Sequence, residues 1–214
     1  MTEMTYKIRY SFLLNRARDI ARQAHMSSLR PELPCLYFFT DPVRTPHPED
    51  IAAHLPEGAA IIYRHFGDRH AAAHARVLQG LAQEKGLFLL IGNDAELAKD
   101  IGAAGVHLSE DRISQATPLR TERPDIWLTA ACHDVQTLEQ PEINSLDAVF
   151  VSPVFPSQSP SAAHKDALGV KGIERFCAVS PIPVMGLGGI TTDNAHRLNS
   201  SGLSGFGAID AFRL

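Results

Sequence analysis

PVMGLGGITTDNAHRLNSSGLSGFGAID, residues Pro183 to Asp210, contains two apolar runs that indicate the architecture of the whole chain. It begins with an apolar run, Pro183 to Leu187, which ends at two adjacent glycines, Gly188 and Gly189. A second apolar run follows from Gly205 to Ile209. Short apolar runs bounded by turn residues are typical of strands buried on both faces, as in parallel sheets. The stretch therefore predicts two parallel strands joined by a short crossover.

The crossover itself reads as a helix. Thr191 and Thr192 are suitable N-cap residues, because a threonine hydroxyl can accept a hydrogen bond from a free amide of the first helical turn. The segment Asp193 to Asn199 would then form the helix, and Gly202 would end it. This interpretation gives the order strand, glycine turn, helix and strand.

The two glycines suggest an anion site. Gly188 and Gly189 have no side chains, so the backbone N–H groups before a helix N-terminus would be open to a phosphate. The alternative is that both glycines only permit a tight turn. Position favours the phosphate, since the loops after the last two strands of a (β/α)₈ barrel commonly hold one.

The rest of the chain supplies the other barrel strands. Apolar runs of strand length alternate with helical segments before the opening stretch, at Cys35–Thr40, Ala59–Arg64, Leu87–Ile91, Gly105–Leu108, Trp127–Ala131 and Ala148–Val151. Together with the last two runs they predict eight βα units. We therefore expect one domain over residues 1–214, a compact α/β (β/α)₈ (TIM) barrel, with residues 1–33 forming an N-terminal helix and connector.

The two ends of the barrel are unusual. An amphipathic pattern over Tyr10 to Gln23 predicts an extra N-terminal helix, whose apolar face would carry Phe12, Leu13, Ala17, Ile20 and Ala21. The last strand leaves no room for a following helix before Leu214. Since strands one and eight are neighbours in a closed barrel, we expect the extra helix to cover that seam in its own subunit or in a partner of a homodimer.

Composition excludes several classes of protein. The chain has 214 residues, a formal net charge of −4 and no cluster of Lys or Arg, which argues against nucleic-acid or membrane partners. Cys35, Cys132 and Cys177 are too few and too far apart for a disulfide framework. The N-terminus lacks the pattern of a signal peptide. These features predict a cytoplasmic protein.

Several motifs, in this order, resemble the thiamine phosphate synthase / TenI family of (β/α)₈ barrels. They are LYFFTDP, IIYRHF, LIGNDAELAKDIGAAGVHLSED, the histidine of AACHD, FVSPVFPSQSP with HKDALG, and PVMGLGGITTDNAHRL with GFGAID. The resemblance covers roughly Cys35 to Phe212. It implies one of two activities: synthases join a pyrimidine diphosphate to a thiazole phosphate with Mg²⁺, whereas TenI-type members isomerise a thiazole phosphate by moving a proton.

Comparison with the synthase pattern after strand two shows a reduced cationic site. Where that pattern has Gln, Arg and Lys for pyrophosphate, this chain has Ile62, Arg64 and Phe66. Arg64 alone is retained and is expected to bind an anionic group.

The resemblance also implies that the metal ligands are altered. Gly92 and Asn93 align with the Asn-Asp pair after strand three, and Arg112 aligns with a second metal carboxylate. Asp94 and Asp111 are each one residue away and are the weak candidates for replacement ligands. Mg²⁺ prefers carboxylate oxygens, so we expect no metal and no cofactor, unless the chain is a true synthase.

The phosphate end of the pattern is better preserved. Gly188 and Gly189 match the phosphate turn, and Lys165 or His164 lies where the family has a loop lysine. His133 matches the strand-five histidine, which the resemblance implies is a general acid and base. Ile209 and Asp210 should line the phosphate site, although the carboxylate of Asp210 would repel an anion unless a cation such as Lys165 paired with it. We interpret His107 as a buried core histidine.

Three functions are consistent with these residues. The first is a metal-independent, TenI-like proton transfer on a small phosphorylated heterocycle, with His133 as the catalyst. The alternative is a Mg²⁺-dependent thiamine phosphate synthase, and a further alternative is a barrel that binds a phosphorylated ligand without catalysis. The altered metal positions favour the first.

Overall fold

The computed structural model describes residues 3–24, 33–157 and 166–213. Its centre is a closed barrel of eight parallel strands in the order β1 to β8, which confirms the predicted fold. The strands are β1 Leu36–Phe39, β2 Ala60–Tyr63, β3 Phe88–Gly92, β4 Gly105–Leu108, β5 Trp127–Cys132, β6 Ala148–Val151, β7 Val184–Gly186 and β8 Phe206–Ala208. Each lies within one residue or so of a predicted apolar run.

Helices and 3₁₀ turns connect the strands. The α-helices are α1 Glu3–Ala21, α2 Pro48–Ala52, α3 Ala71–Lys85, α4 Ala95–Asp100, α5 Ala116–Glu122 and α6 Gly169–Val179. The 3₁₀ segments are Glu110–Gln115, Val135–Glu139, Pro141–Ser145, Ala195–Leu198 and Asp210–Phe212. The last of these is the only helical turn that follows β8 in the described part of the chain.

The strands are buried on both faces because the barrel has two apolar layers. Side chains that point inward form the barrel interior, where the ring of Phe150 packs edge-on against those of Tyr37 and Phe39 at centroid distances of 4.9 and 5.0 Å. Side chains that point outward, such as Phe38 and Ile61, pack under the helices. Continuous apolar runs, rather than alternating ones, are what this arrangement requires.

Helix α1 covers the seam between β1 and β8. The seam is formed by strand pairing between Tyr37 and Gly207, and Phe212 packs over it between Tyr10 and Phe38, with ring centroids 5.2 and 5.4 Å apart. The Tyr10 hydroxyl donates a hydrogen bond to the Phe212 carbonyl. The expected covering of this seam is thus found within a single subunit.

The predicted buried face of α1 was wrong in one respect. Phe12 is 44% exposed, whereas Tyr10 and Leu14 are buried beside Leu13. The helix begins at Glu3 rather than near Tyr10, and its buried stripe lies on the side that includes Leu14. The guanidinium of Arg16 instead covers the Phe12 ring at 5.6 Å.

The predicted helix over Asp193 to Asn199 is also corrected. The structure has only a four-residue 3₁₀ turn there, Ala195–Leu198, and neither threonine caps it. The side chain of Asn194 instead accepts a hydrogen bond from the Thr191 amide at 2.8 Å and donates one to the Gly189 carbonyl at 2.7 Å. A segment this short gains too few backbone hydrogen bonds to offset helix nucleation, so the asparagine closes the turn.

Candidate functional site

A small cavity opens where β7 and β8 end. We call it the glycine pocket; it has a volume of about 60 Å³ and is lined by Arg44, Arg64, Ser152, Pro153, Ser157, Leu187, Gly188, Gly189, Ile190, Thr191, Ala208, Ile209 and Asp210. The structure therefore brings together five of the residues predicted from sequence: Arg64, Gly188, Gly189, Ile209 and Asp210. His164 and Lys165 lie outside the described residues.

The glycines are required by the backbone of this turn. Gly188 and Gly189 have φ angles of +92° and +68°, which side chains rarely adopt. A Cβ atom on Gly189 would lie 2.6 Å from the carbonyl oxygens of Phe155 and Pro156. Among the described residues, the amides of Gly189 and Ile190 have no hydrogen-bond partner. The turn thus presents free N–H groups to the pocket, although only the 3₁₀ turn Ala195–Leu198, and no α-helix, lies between it and β8 in the described chain.

Arg44 is a charged residue of the glycine pocket that was not predicted from the sequence. Its Nη1 lies 3.2 Å from Oδ2 of Asp210, and its Nη2 lies 2.9 Å from Oδ2 of Asp41. Burial raises the pKa of Asp41, but hydrogen bonds from Arg44 and from the Val43 amide outweigh that effect and leave the pKa below its usual value. A cation expected beside Asp210 is therefore present: within the described residues Arg44 lies at 3.2 Å, and Arg213 lies further away at 3.9 Å.

Arg64 lies between the glycine pocket and a larger cavity. Its Nε donates to the Thr40 carbonyl at 2.9 Å, and its guanidinium lies 5.6 and 5.2 Å from the ring centroids of Phe39 and Phe66. Burial lowers the pKa of Arg64 to about 10, with Asp41 opposing the change, so the side chain stays charged at neutral pH. Its Nη2 atom has no hydrogen-bond partner in the described residues. This atom is buried and lies 3.7 Å from Oδ2 of Asp41.

The larger cavity, which we call the central pocket, occupies the middle of the barrel mouth. It has a volume of about 510 Å³ and is lined by Phe39, Arg64, His65, Phe66, Gly67, Gly92, Asn93, Asp94, His107, Ser109, Arg112, Ala131, His133, Ser152 and Leu187. Arg64, Ser152 and Leu187 line both pockets. The two pockets are therefore adjacent, with these three side chains at their common boundary.

His133 is held at the wall of the central pocket by two neighbouring loops. Its backbone amide donates to Glu110 Oε1 at 2.7 Å, and its Nδ1 lies 3.2 Å from both the carbonyl oxygen and the hydroxyl of Ser152. The hydroxyl of Thr137 also donates to Glu110 at 2.9 Å. A proton on Nδ1 satisfies the Ser152 carbonyl, which leaves Nε2 as the ring atom that can accept a proton. Glu110 and Ser152 lie within two of the motifs that resemble the family, HLSED and FVSPVFPSQSP, but neither was singled out as a site residue.

His107 forms part of the floor of the central pocket and confirms the interpretation as a core residue. Its Nδ1 is 3.0 Å from the Thr129 hydroxyl, and its ring packs edge-on against Phe39 and Phe150. Burial, together with the positive charge of Arg64 and the nearby His133, lowers the pKa of His107 to about 3. The imidazole is therefore neutral at physiological pH.

The residues at the barrel mouth do not fit Mg²⁺. Asp94 uses Oδ1 to cap α4 through the Leu97 amide, and Asp111 is exposed and lines neither pocket. The Asn93 side chain accepts from the Ser109 amide, and Arg112 donates to the Asn93 carbonyl at 3.2 Å. In the described part of the chain no three His, Cys, Asp and Glu side chains are grouped to hold a metal ion. A guanidinium at this position repels a divalent cation.

The fold is a parallel (β/α)₈ barrel, and two adjacent pockets open at the carboxyl ends of its strands, where barrels of this kind bind small molecules. A family model described as thiamine monophosphate synthase matches residues 36–212. The chain belongs to that family, as the motifs predicted.

Individual relatives agree with the family assignment. A thiamine-phosphate synthase of Bacillus velezensis is 30% identical over 175 residues, 77% of this chain and 76% of the relative. One of Bacillus mycoides is 28% identical over 200 residues, covering 90% and 89%. One of Lactococcus lactis subsp. cremoris is 27% identical over 135 residues, and the match spans 62% of its length.

A solved structure supports the fold. A thiamine phosphate pyrophosphorylase from Pyrococcus furiosus superposes with a TM-score of 0.70 at 23% identity, covering 85% of this chain and 87% of its own. Across residues 3–24, 33–157 and 166–213, no helix is long and apolar enough to cross a membrane.

Proposed function

We propose that this chain is a transferase of the thiamine-phosphate-synthase type, which joins a pyrimidine diphosphate to a thiazole phosphate. The observation that carries the proposal is the pair of pockets that share Arg64, Ser152 and Leu187. Two substrates that must react with each other need adjacent sites, because reacting atoms have to approach to about 3 to 3.5 Å. A phosphate at the glycine turn would orient one heterocycle toward the other.

The reaction places specific demands on charge. As the new bond forms, the bond to the diphosphate breaks and the diphosphate leaves with the electron pair. Cations at the site stabilise that negative charge. In the central pocket the arginines Arg64 and Arg112 are the described side chains with a permanent positive charge. We assign them, rather than a bound metal ion, to the departing diphosphate.

The comparisons favour this alternative over the proton transfer expected from sequence. The matching family model and the relatives quoted above all carry the synthase description. Phosphorylated small molecules are accordingly the class of ligand that the family implies. The altered metal positions do not argue against the reaction itself, because an arginine guanidinium can stabilise the negative charge of the diphosphate in place of a metal ion.

The test is a direct assay of product formation. The purified protein is incubated with the pyrimidine diphosphate and the thiazole phosphate, in EDTA and in Mg²⁺, and thiamine phosphate is quantified by fluorescence after oxidation. We expect product in both buffers and a loss of at least about 100-fold in Arg64→Ala, the range seen when one stabilising donor is removed. Gln79→Ala, a change on α3 away from both pockets, is the matched control. Absence of product in both buffers would refute the proposal.

A second candidate function, proton transfer by His133, is favoured by its fixed position at the central pocket. The hydrogen bonds of Nδ1 to Ser152 orient the ring, and a positioned imidazole contributes about 10²- to 10⁴-fold as a general acid or base. The test is deuterium exchange from solvent into a thiazole phosphate, followed by NMR. Exchange that His133→Ala slows by that factor, with ligand binding retained, supports this candidate. Binding without any exchange or product formation favours the non-catalytic alternative.

A further inference from the structure

The guanidinium of Arg44 lies between two carboxylates at the rim of the glycine pocket. Asp41 lies 2.9 Å from Nη2 and Asp210 lies 3.2 Å from Nη1. The Arg44 side chain is only 18% exposed, whereas that of Asp210 is 48% exposed. Asp210 is therefore the carboxylate that borders both the solvent and the pocket.

Charged side chains of both signs meet at the described rim of the pocket. Arg44 and Arg64 contribute two positive charges, and Asp41 and Asp210 contribute two negative ones. Asp41 contacts both arginines, with Oδ2 at 2.9 Å from Arg44 and 3.7 Å from Arg64. An incoming phosphate meets free amides at the turn, but the two arginines that line the pocket are already paired with carboxylates.

We propose that Arg44 and Asp210 determine the anion specificity of the glycine pocket: Arg44 binds the phosphate, and Asp210 competes with the phosphate for the same guanidinium edge. The idea rests on the proposed function only in that the glycine pocket receives a phosphate. Asp41 keeps Arg44 in place through its second edge, so the guanidinium need not move when the ligand arrives. Asp210, which is the more exposed partner, turns away as the phosphate takes over Nη1.

The pair has a consequence for affinity. A phosphate and Asp210 are both negative and share one arginine, so their repulsion weakens binding by an amount that Coulomb's law sets. The pocket therefore binds an anion weakly enough to release it, and it discriminates against ligands with more than one phosphate at this end. Removing only the charge of Asp210 should therefore strengthen anion binding and weaken the discrimination against ligands with more than one phosphate.

The experiment measures binding of inorganic phosphate by calorimetry at low ionic strength, with the full chain. Arg44→Ala should weaken binding at least tenfold, and Arg44→Lys should recover part of the loss, since a lysine keeps the charge but not the paired donors. Asp210→Asn keeps an acceptor for Arg44 and should tighten binding about three- to tenfold. Arg213→Ala is the matched control: it also removes a positive charge near Asp210, at 3.9 Å, but its side chain does not line the pocket, so we expect less than a twofold change.

The sign of the Asp210→Asn effect decides the question. A carboxylate with a merely structural role would leave phosphate affinity unchanged or lowered when neutralised, and that result would overturn the proposal. Equal weakening by Arg44→Ala and Arg213→Ala would overturn it as well. The measurement is independent of turnover: phosphate binding with these changes but without thiamine phosphate formation would refute the proposed function and leave the inference standing.

Discussion

The hydroxyl of Tyr10 donates a hydrogen bond to the backbone carbonyl of Phe212, and thereby fixes α1 to the 3₁₀ turn that follows β8. Both side chains are fully buried, and their rings pack edge to face at 5.2 Å. A helix from before the first strand thus covers the seam that a helix after the last strand would cover in a regular barrel. The stability of the barrel should depend on this helix.

Leu13 tests that dependence. It is fully buried in α1, so Leu13→Ala removes apolar contacts and leaves a cavity, and we expect a loss of about 2 to 5 kcal/mol in the free energy of unfolding. Phe12→Ala in the same helix is the matched control, since this ring is 44% exposed; a change under about 1 kcal/mol is expected. Urea denaturation measures both. Equal effects would show that α1 is not packed as described.

Gly189 tests the backbone of the phosphate turn. Gly189→Ala combines a positive φ with a Cβ that meets two carbonyl oxygens at 2.6 Å, so we expect a loss of about 2 kcal/mol or more in stability and loss of phosphate binding. The control is Gly80→Ala in α3, where a Cβ has nothing within 4 Å and alanine should stabilise the helix by about 0.5 to 1 kcal/mol. Normal phosphate binding by Gly189→Ala would contradict the assigned role of the turn.

The unsuitable metal ligands predict that Mg²⁺ adds nothing to diphosphate binding. With pyrophosphate held constant, replacing EDTA by millimolar Mg²⁺ should leave the melting temperature within about 1 °C, because a ligand stabilises only in proportion to its affinity for the native state. Asn93→Asp alone should behave in the same way while Arg112 remains. The double variant Asn93→Asp, Arg112→Asp restores two carboxylates and is the comparison that should gain Mg²⁺ dependence. Clear stabilisation of the wild type by Mg²⁺ would contradict this prediction and favour a Mg²⁺-dependent synthase.

His107 predicts a pH dependence of stability. Its pKa is lowered to about 3 in the folded state, against about 6.5 in an unfolded chain. Between these values the unfolded state binds the extra proton, so stability is complete above about pH 6.5 and falls as the pH is lowered toward 3. The slope should be about 1.4 kcal/mol per pH unit.

The measurement compares unfolding free energies at pH 7 and 5 for wild type and His107→Gln. The variant keeps a hydrogen-bonding partner for Thr129 but cannot titrate, so it should lose about 2 kcal/mol less than the wild type over this range. Carboxylates contribute equally to both proteins and cancel in the difference. Parallel pH profiles would mean that His107 does not carry the effect.

The fold was readable from sequence because it depends on local and repetitive features. Strands buried on both faces produce apolar runs such as Ala148–Val151, and those runs were located almost to the residue. Side chains that cap helices also act within a few residues, as Asp94 does for the Leu97 amide at the start of α4. The buried face of α1 was harder to predict, because it is set by contact with Phe212, which is far away in the chain.

The site was only partly readable for a related reason. Gly188 and Gly189 are marked by their own chemistry, whereas the importance of Arg44 arises only when β1 and β8 are brought together. Nothing in the sequence around Arg44 indicates a partner at Asp210, 166 residues later. The predicted helix after Gly189 is replaced by a turn that the side-chain hydrogen bonds of one residue, Asn194, close.

The seam between β1 and β8 can form only late in the synthesis of the chain. A chain emerging from a ribosome can pair each new strand with the one before it, but β1 must wait for β8, and closing so long a loop is entropically the most demanding contact. The glycine pocket takes Arg44 from one side of that seam and Asp210 from the other. No nascent chain can therefore assemble the pocket before the last strand is made, and occupancy of the pocket reports that the barrel has closed.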